Sequence, residues 1–207
     1  MAAKLLRSTS LKVETMKFRP ATIDDVHHIT RFVTMAYGGC IEAIYDGLIP
    51  DQSIESILEP QYLRAGTTAF YENHWIAEQN DQVAGGVHAF PFDQFANDTP
   101  DPRVPEERYV VLQPFANLPA EGTYFVNALS VYPEYGRKGI GSSLLTLACE
   151  HAKEKMFTEI SLHVYGGNVR AVKMYEKFGF KIAGREPVVE HPRIPFTGEA
   201  YLMIASL

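Results

Sequence analysis

The chain has 207 residues, of which 46% are hydrophobic and 21% are charged, proportions typical of one globular domain with a full core. Its net charge of −6 argues against nucleic-acid binding and weakly favours a cationic substrate. The two cysteines, Cys40 and Cys149, form neither a disulfide framework nor a zinc-binding pattern, so we expect a reducing, cytoplasmic environment and no metal.

The first 15 residues contain three basic side chains, several serines and threonines, and one acidic residue, Glu14. This composition faintly resembles an organelle transit peptide, but a flexible extension from an upstream start codon explains it more simply. We therefore expect one domain over residues 16–207. No apolar stretch reaches the roughly 20 residues of a membrane helix, so we expect no membrane partner.

Hydrophobic periodicity in the first half of the chain predicts strands and helices of ordinary length. The first helix is capped by Thr22 and stopped by Gly38-Gly39, and Pro50 interrupts the next helical stretch. The predicted elements are a strand at 17–20, a helix at 22–37, a helical stretch at 41–63, and hairpin strands at 75–78 and 82–90.

Residues 91–121 break this pattern with repeated prolines and acidic patches. The segment is too long for a simple connector, so we expect an insertion that forms a lid or rim over the substrate site. A surface insertion without a catalytic part fits the sequence equally well.

The second half of the chain alternates strands and helices, which predicts a mixed α/β fold. A strand–helix–strand unit in one sheet requires a right-handed parallel crossover, whereas hairpins imply antiparallel neighbours elsewhere. The predicted elements are a strand at 123–132, a helix at 140–156, a strand at 159–165, a helix at 168–178, a strand at 180–189 and, after a proline-rich loop, a strand at 200–205.

The turn before the helix at 140–156 is rich in glycine and reads Tyr135-Gly-Arg-Lys-Gly-Ile-Gly-Ser142. A strand, a glycine turn and a helix start together direct several backbone N–H groups and the positive helix end at one anion. The spacing matches neither a Walker loop nor a Rossmann fingerprint, which would need glycine in place of Leu144. The predicted diphosphate-binding residues are Gly136, Arg137, Lys138, Gly139, Ile140, Gly141 and Ser142.

A second motif follows at Leu162-His-Val-Tyr-Gly-Gly-Asn168, with Tyr175 and Gly179-Phe180 behind it. Together the two motifs resemble the GCN5-related N-acetyltransferase (GNAT) superfamily over residues 123–183. The resemblance implies a central, mostly antiparallel sheet of six or seven strands, flanked by helices and splayed where acetyl-CoA enters. The family usually has Gln or Arg where this chain has Gly136, a local departure.

The resemblance also assigns residues along the path of the coenzyme. It implies that the loop at 136–142 grips the pyrophosphate of acetyl-CoA. It implies further that the main chain of Leu129 and Val131 and the side chain of Asn168 contact the rest of the coenzyme, with one main-chain group polarising the thioester carbonyl.

Two side chains are candidate catalytic groups. The resemblance places Tyr175 near the thioester sulfur, as a proton donor or an orienting group, although an aromatic residue on an apolar helix face is usually part of a core. His163 shares the polar face of its strand and resembles the catalytic histidine of some eukaryotic protein N-terminal acetyltransferases. A strand histidine satisfied by solvent is the alternative.

The central strand lacks the acid that relatives often place there, since this chain has Phe125 at that position. Asn127, two residues later on the same side, is predicted to hold the acceptor or a water molecule. Further candidate acceptor contacts are Tyr37, Glu42 and the segments near His88 and His191.

These features predict an acetyl-CoA-dependent N-acetyltransferase that acts by direct transfer within a ternary complex. The acceptor would be a small-molecule amine or a peptide N-terminus, and the protein a monomer or homodimer. Two alternatives stay open. One is a CoA-binding regulatory or interaction module without turnover, which Phe125 supports, and the other is a transferase for a longer acyl-CoA.

Overall fold

One seven-stranded sheet organises the protein in the computed structural model, which describes residues 15–207. Its strands in chain order are β1 (Met16–Pro20), β2 (His74–Gln79), β3 (Gln82–Pro91), β4 (Tyr124–Val131), β5 (Glu159–Tyr165), β6 (Lys181–Pro187) and β7 (Glu199–Ser206). Across the sheet they follow the order β1-β2-β3-β4-β5-β7-β6, and within these residues only β4 and β5 pair in parallel. The predicted mixed α/β fold with a mostly antiparallel sheet is confirmed.

The helices of the described residues lie close to the predicted positions. They are α1 (Val26–Ala36), α2 (Cys40–Tyr45), α3 (Ile54–Tyr62), α4 (Gln113–Ala116), α5 (Ile140–Glu154) and α6 (Val169–Lys177). The interrupted helical stretch at 41–63 resolves into α2 and α3, and Pro50 lies in the gap between them. Ser53 caps α3, because its side chain accepts a hydrogen bond from the backbone N–H of Ser56 at 3.2 Å.

Helices cover both faces of the sheet. Because successive strand residues point to opposite faces, Ile76 and Ala77 belong to different apolar clusters. Ile76 packs with buried residues of α1, α2 and α3, and Ala77 packs with those of α5. We call these the α1 face and the α5 face of the sheet.

The segment at 91–121 folds against the rest of the domain. It contains 3-10 turns at Phe92–Asn97 and Glu106–Leu112, followed by α4. Val111 is buried within the cluster on the α1 face, and Arg108 Nη1 donates to the Ile44 carbonyl at 2.9 Å. The insertion is therefore a packed part of the α1 face.

The predicted extension over residues 1–15 lies outside the described residues except for Thr15. The backbone N–H of Thr15 donates to Asn80 Oδ1 at 3.2 Å, and its carbonyl accepts from the Asn80 N–H at 3.0 Å. β1 begins directly after this contact, at Met16. None of the described helices is long and apolar enough to cross a bilayer.

A partly buried ion pair joins β1 to the start of α1. Arg19 donates from its two Nη atoms to the two carboxylate oxygens of Asp25 at 2.7 and 2.9 Å, and Asp25 is only 4% exposed. The Thr22 N–H donates to the same carboxylate at 2.8 Å. Burial opposes ionisation of Asp25, but the hydrogen bonds from Arg19 and Thr22 outweigh it and lower the pKa to about 2.

We expect Asp25→Asn to reduce the free energy of unfolding near neutral pH by about 2 kcal/mol, as the lowered pKa of Asp25 implies. Because the folded-state pKa lies below the unfolded value of 3.8, the stabilisation is complete above that value and lost as pH falls through about 2. Urea unfolding of both proteins across this pH range measures the difference, with Asp24→Asn as the exposed neighbouring control. A difference that persists at the acid end would contradict a role for the charge.

Candidate active-site cleft

A cavity of about 1130 Å³ opens where β4 and β5 separate. The two strands pair over only three residues each, Tyr124–Val126 of β4 with Ile160–Leu162 of β5. The next residue, Asn127, is the extra residue of a β-bulge, because His88 of β3 pairs with Ala128 and Ala89 pairs with Val126. Beyond this point no strand of residues 15–207 pairs with the edge of β4 that faces β5, and this edge lines the cavity.

The cleft is elongated along β4. β4 lines it from Phe125 to Val131, a run of about 20 Å at the usual rise per residue. The loop at 136–142 follows Val131 and borders one end, and the insertion borders the other, where the Phe92 and Phe125 rings are 5.3 Å apart. The cavity volume of about 1130 Å³ is larger than the range of about 300–1,000 Å³ that is typical of a single ligand pocket.

The loop end presents free backbone donors. Gly139 is the N-cap of α5 and adopts a φ of 82°, which favours glycine. The first helical hydrogen bond runs from the Ser143 N–H to the Gly139 carbonyl at 3.0 Å, so the preceding amides have no partner inside the helix. Those amides belong to Ile140, Gly141 and Ser142, and all three residues line the cavity.

The charged residues of the loop differ in where they point. Arg137 is exposed and lines the cavity together with Gly136. Lys138 does not line it, because Lys138 Nζ donates to Gln79 Oε1 at 2.8 Å and is thereby held against β2. The structure thus brings the predicted diphosphate-binding residues to the cleft with the exception of Lys138.

The predicted coenzyme contacts further along also reach the cavity. Leu129 and Val131 lie on the unpaired stretch of β4 and line the cavity. Asn168 lines it too, and its side chain caps α6 by accepting from the Ala171 N–H at 3.3 Å. Capping therefore fixes the orientation of Asn168 beside the cleft.

Tyr175 reaches the cavity from α6, on the α5 face of the sheet. Its side chain is 8% exposed and packs against Phe180, with ring centroids 5.9 Å apart. Burial raises the pKa of Tyr175 to about 12. The phenol is therefore protonated at any pH at which the protein would work.

His163 reaches the cavity from the α1 face, beside the rings of Phe115 and Phe125. Its Nε2 lies 2.7 Å from the Leu118 carbonyl. Because a carbonyl can only accept, Nε2 carries the proton and Nδ1 keeps its lone pair. Burial lowers the pKa of His163 to about 4, with the Leu118 hydrogen bond opposing this, so the ring is neutral near pH 7.

Tyr37, Asn127 and His88 form a hydrogen-bonded chain that ends on the Thr68 carbonyl. His88 Nε2 lies 2.8 Å from that carbonyl, and burial lowers the pKa of His88 to about 4. The neutral ring therefore donates from Nε2 and accepts at Nδ1 from Asn127 Nδ2, at 2.9 Å. Asn127 Oδ1 accepts from the Tyr37 hydroxyl at 2.9 Å. The hydroxyl proton of Tyr37 is thus committed to Asn127, and its oxygen is left as an acceptor.

Three of the candidate acceptor contacts, Glu42, His88 and His191, are not among the residues that line the cavity. Glu42 is on α2 and does not line the cavity, because Gly38 and Gly39, both at positive φ, turn the chain away after Tyr37. His191 does not line it either, and its Nδ1 accepts from the Arg193 N–H at 3.2 Å.

The insertion was predicted as a lid or rim, but its residues that line the cavity were not predicted individually. The cavity is lined by Phe92, Phe95, Leu112 and Phe115. The spacing of Phe92 and Phe95, which puts both rings on one side of a helical turn, was the available signal. A placement of the insertion over the substrate site, as a rim, stays a prediction that this lining supports.

The protein-family comparison matches residues 41–180 to the acetyltransferase (GNAT) family. Among curated proteins, the mycothiol acetyltransferase of Propionibacterium freudenreichii subsp. shermanii is 38% identical over 61 residues, which are 30% of this chain and 20% of that protein. The chain therefore spans about a fifth of the length of this relative.

Solved structures share the fold over nearly the whole chain. An N-acetyltransferase from Staphylococcus aureus matches 91% of this chain and 100% of its own, with a TM-score of 0.64 and 19% identity. A GNAT family acetyltransferase from Elizabethkingia anophelis with acetyl-CoA bound matches 93% of this chain and 98% of its own, with a TM-score of 0.53 and 17% identity. At these identities the likeness is one of fold.

The hydrogen-bond assignment makes a spectroscopic prediction. In nitrogen-15 NMR of labelled histidines, His163 and His88 should both show the tautomer protonated on Nε2 and should titrate near pH 4. His163→Gln identifies the His163 signals by their loss. A midpoint near the ordinary value of about 6.5, or a proton on Nδ1, would contradict the assignment.

Proposed function

Because the chain belongs to the acetyltransferase (GNAT) family, we propose that it transfers an acetyl group from acetyl-CoA directly to a primary amine in a ternary complex. The observation that carries this proposal is the cleft between β4 and β5. Free backbone donors border one end of it, and a protonated phenol and an accepting imidazole reach it from opposite faces of the sheet. A gap through the sheet lets two substrates meet from its two sides.

The residues at the loop end fit acetyl-CoA. The amides of Ile140, Gly141 and Ser142 would hold the pyrophosphate, helped by the positive end of α5 and by Arg137. The unpaired edge of β4 from Leu129 would bond the pantetheine amides much as a neighbouring strand would. When bound, acetyl-CoA supplies the acetyl group as a thioester.

Tyr175 is the proposed partner of the sulfur. Transfer forms one C–N bond and breaks one C–S bond, while the nitrogen loses a proton to His163 and the sulfur leaves as a thiolate that takes a proton from solvent. The pKa of Tyr175, about 12, lies well above the about 8.5 of an ordinary thiol. The phenol therefore stabilises charge on the sulfur mainly by donating a hydrogen bond.

His163 is the proposed acceptor of the proton from nitrogen. Its pKa of about 4 is too low for it to deprotonate a free ammonium, whose pKa is about 8 to 10. Nδ1 can instead accept the proton as the nitrogen lone pair enters the new C–N bond and the N–H becomes strongly acidic. The acceptor amine must then enter the cleft in its neutral form.

Gly139→Ala tests the loop. Alanine at a φ of 82° is strained by about 1–2 kcal/mol, so the first turn of α5 should shift. We expect the Kd for CoA, measured by calorimetry, to rise about 5- to 30-fold. Gly66→Ala is the matched control, since Gly66 has a φ of 84°, open space around it and no contact with the cavity. Equal CoA affinity in the two variants would count against the loop as the diphosphate site.

Tyr175→Phe removes one hydroxyl and keeps the ring. We expect kcat to fall about 100-fold with little change in CoA affinity, because the lost hydrogen bond acts on the departing sulfur. Tyr62→Phe, which alters another buried tyrosine outside the cavity, is the control. Full activity in Tyr175→Phe would remove Tyr175 from the mechanism. A wild-type protein that binds CoA and acetylates no amine would favour the CoA-binding module instead.

A further inference from the structure

The end of the cleft away from the loop is built from apolar side chains on the α1 face. We call it the aromatic end, and its members are Phe92, Phe95, Leu112, Phe115 and Phe125. The Phe92 and Phe95 rings stand edge-on to Phe125, at centroid distances of 5.3 and 5.6 Å, and Phe115 lies 5.5 Å from His163. Phe92, Phe95 and Phe115 are only partly buried, so each keeps surface that a ligand can cover.

The charged groups of the cleft lie at its other end. Among the described residues that line the cavity there is no acidic side chain, and the formally charged ones are Arg137 and Arg170. Arg137 follows the end of β4, and Arg170 follows the end of β5. Because these two strands are parallel, both arginines lie beyond the carboxyl ends of the strands, at the coenzyme end of the cleft.

This distribution of charged side chains disfavours several classes of acceptor amine. A polyamine would bring a second ammonium group to the aromatic end, where no carboxylate can pair with it. An amino acid would bring a carboxylate beside its amino group, where the described residues that line the cavity offer no cation to pair with it. A peptide would bring backbone amides that rings cannot satisfy.

Two side-chain atoms near the fork of β4 and β5, the Tyr37 oxygen and His163 Nδ1, are left as hydrogen-bond acceptors. Asn127 and Phe125 share the α1 face, and His163 directly follows Leu162, the last residue of β5 that pairs with β4. The Tyr37 oxygen has committed its proton to Asn127, and His163 Nδ1 bears none because Nε2 donates to Leu118. A neutral primary amine offers two N–H groups to these two acceptors and keeps its lone pair for reaction.

We propose that the acceptor is a small arylalkyl amine, with one primary amino group on a short chain that ends in an aromatic ring. The amino group lies between Tyr37 and His163, and the ring lies among the phenylalanines, where it gains edge-to-face contacts that an alkyl chain lacks. This proposal rests on the proposed function and adds the substrate class.

A panel of amines at saturating acetyl-CoA tests the substrate class through kcat/KM. The panel is 2-phenylethylamine, phenylalanine, putrescine and a short peptide with a free N-terminus. We expect 2-phenylethylamine to exceed phenylalanine by at least about 100-fold, because the two differ only in a carboxylate beside the amino group, where the Tyr37 oxygen and His163 Nδ1 are acceptors and cannot pair with it. Faster acetylation of any other member would overturn the substrate class and leave the proposed function standing. CoA binding with no acetylation of any amine would overturn both.

Two substitutions at Phe95 place the effect in the cleft. Phe95→Ala should raise KM for 2-phenylethylamine about 10-fold with CoA affinity unchanged, and Phe95→Arg should lower kcat/KM for this amine further by placing a charged group where its ring would bind. Phe18→Ala is the control, since Phe18 is a partly exposed ring on β1, at the far edge of the sheet. If neither Phe95 variant changes amine preference, the aromatic end does not bind the acceptor.

Discussion

The early end of pairing between β4 and β5 is the constraint on which the rest of the site depends. Two parallel strands paired along their whole length would close the sheet, but here the pairing stops at Val126 and Leu162. The bulge at Asn127 bends β4 at that point and leaves its next peptide groups without partners on the β5 side. One break in the ladder therefore provides both a free strand edge and a passage between the two faces of the sheet. Tyr175 reaches the passage from the α5 face and His163 from the α1 face.

The polarity of the cleft follows from carbonyl groups that lie outside it. The Leu118 carbonyl fixes the proton of His163 on Nε2, and the Thr68 carbonyl does the same for His88. The hydrogen bond from His88 to Thr68 also affects Tyr37, because His88 Nδ1 accepts from Asn127 Nδ2 and Asn127 Oδ1 then accepts from the Tyr37 hydroxyl. The insertion therefore both lines the cleft and, through the Leu118 carbonyl, fixes the tautomer of His163. A side chain whose hydrogen is already bonded elsewhere can only accept a hydrogen bond from a ligand. Such a side chain favours an amine, which donates, over a carbonyl or carboxylate, which only accepts.

The parts of this site that sequence could predict are those whose causes lie within a few residues. The turn at 136–142 needs a left-handed glycine and a helix start, and both are local properties. Lys138 carries the same local signal but bonds to Gln79, 59 residues earlier, and so leaves the cleft. The partner of His163 is likewise 45 residues away, in a proline-rich segment without periodicity. Such contacts depend on how the elements pack, which one sequence does not state.

The aromatic rings around His163 explain why position 125 holds a phenylalanine instead of an acidic residue. A carboxylate there would be buried among rings without a cation, and ionising it would cost much of what it gained as a base. Phe125 instead completes an apolar environment, and the same burial that lowers the pKa of His163 keeps its Nδ1 available as an acceptor. Although the net charge of the chain is −6, no acidic side chain is among the described residues that line the cleft. A cleft of this kind selects against the ammonium form of a substrate, so the fraction of neutral amine in solution becomes part of the rate.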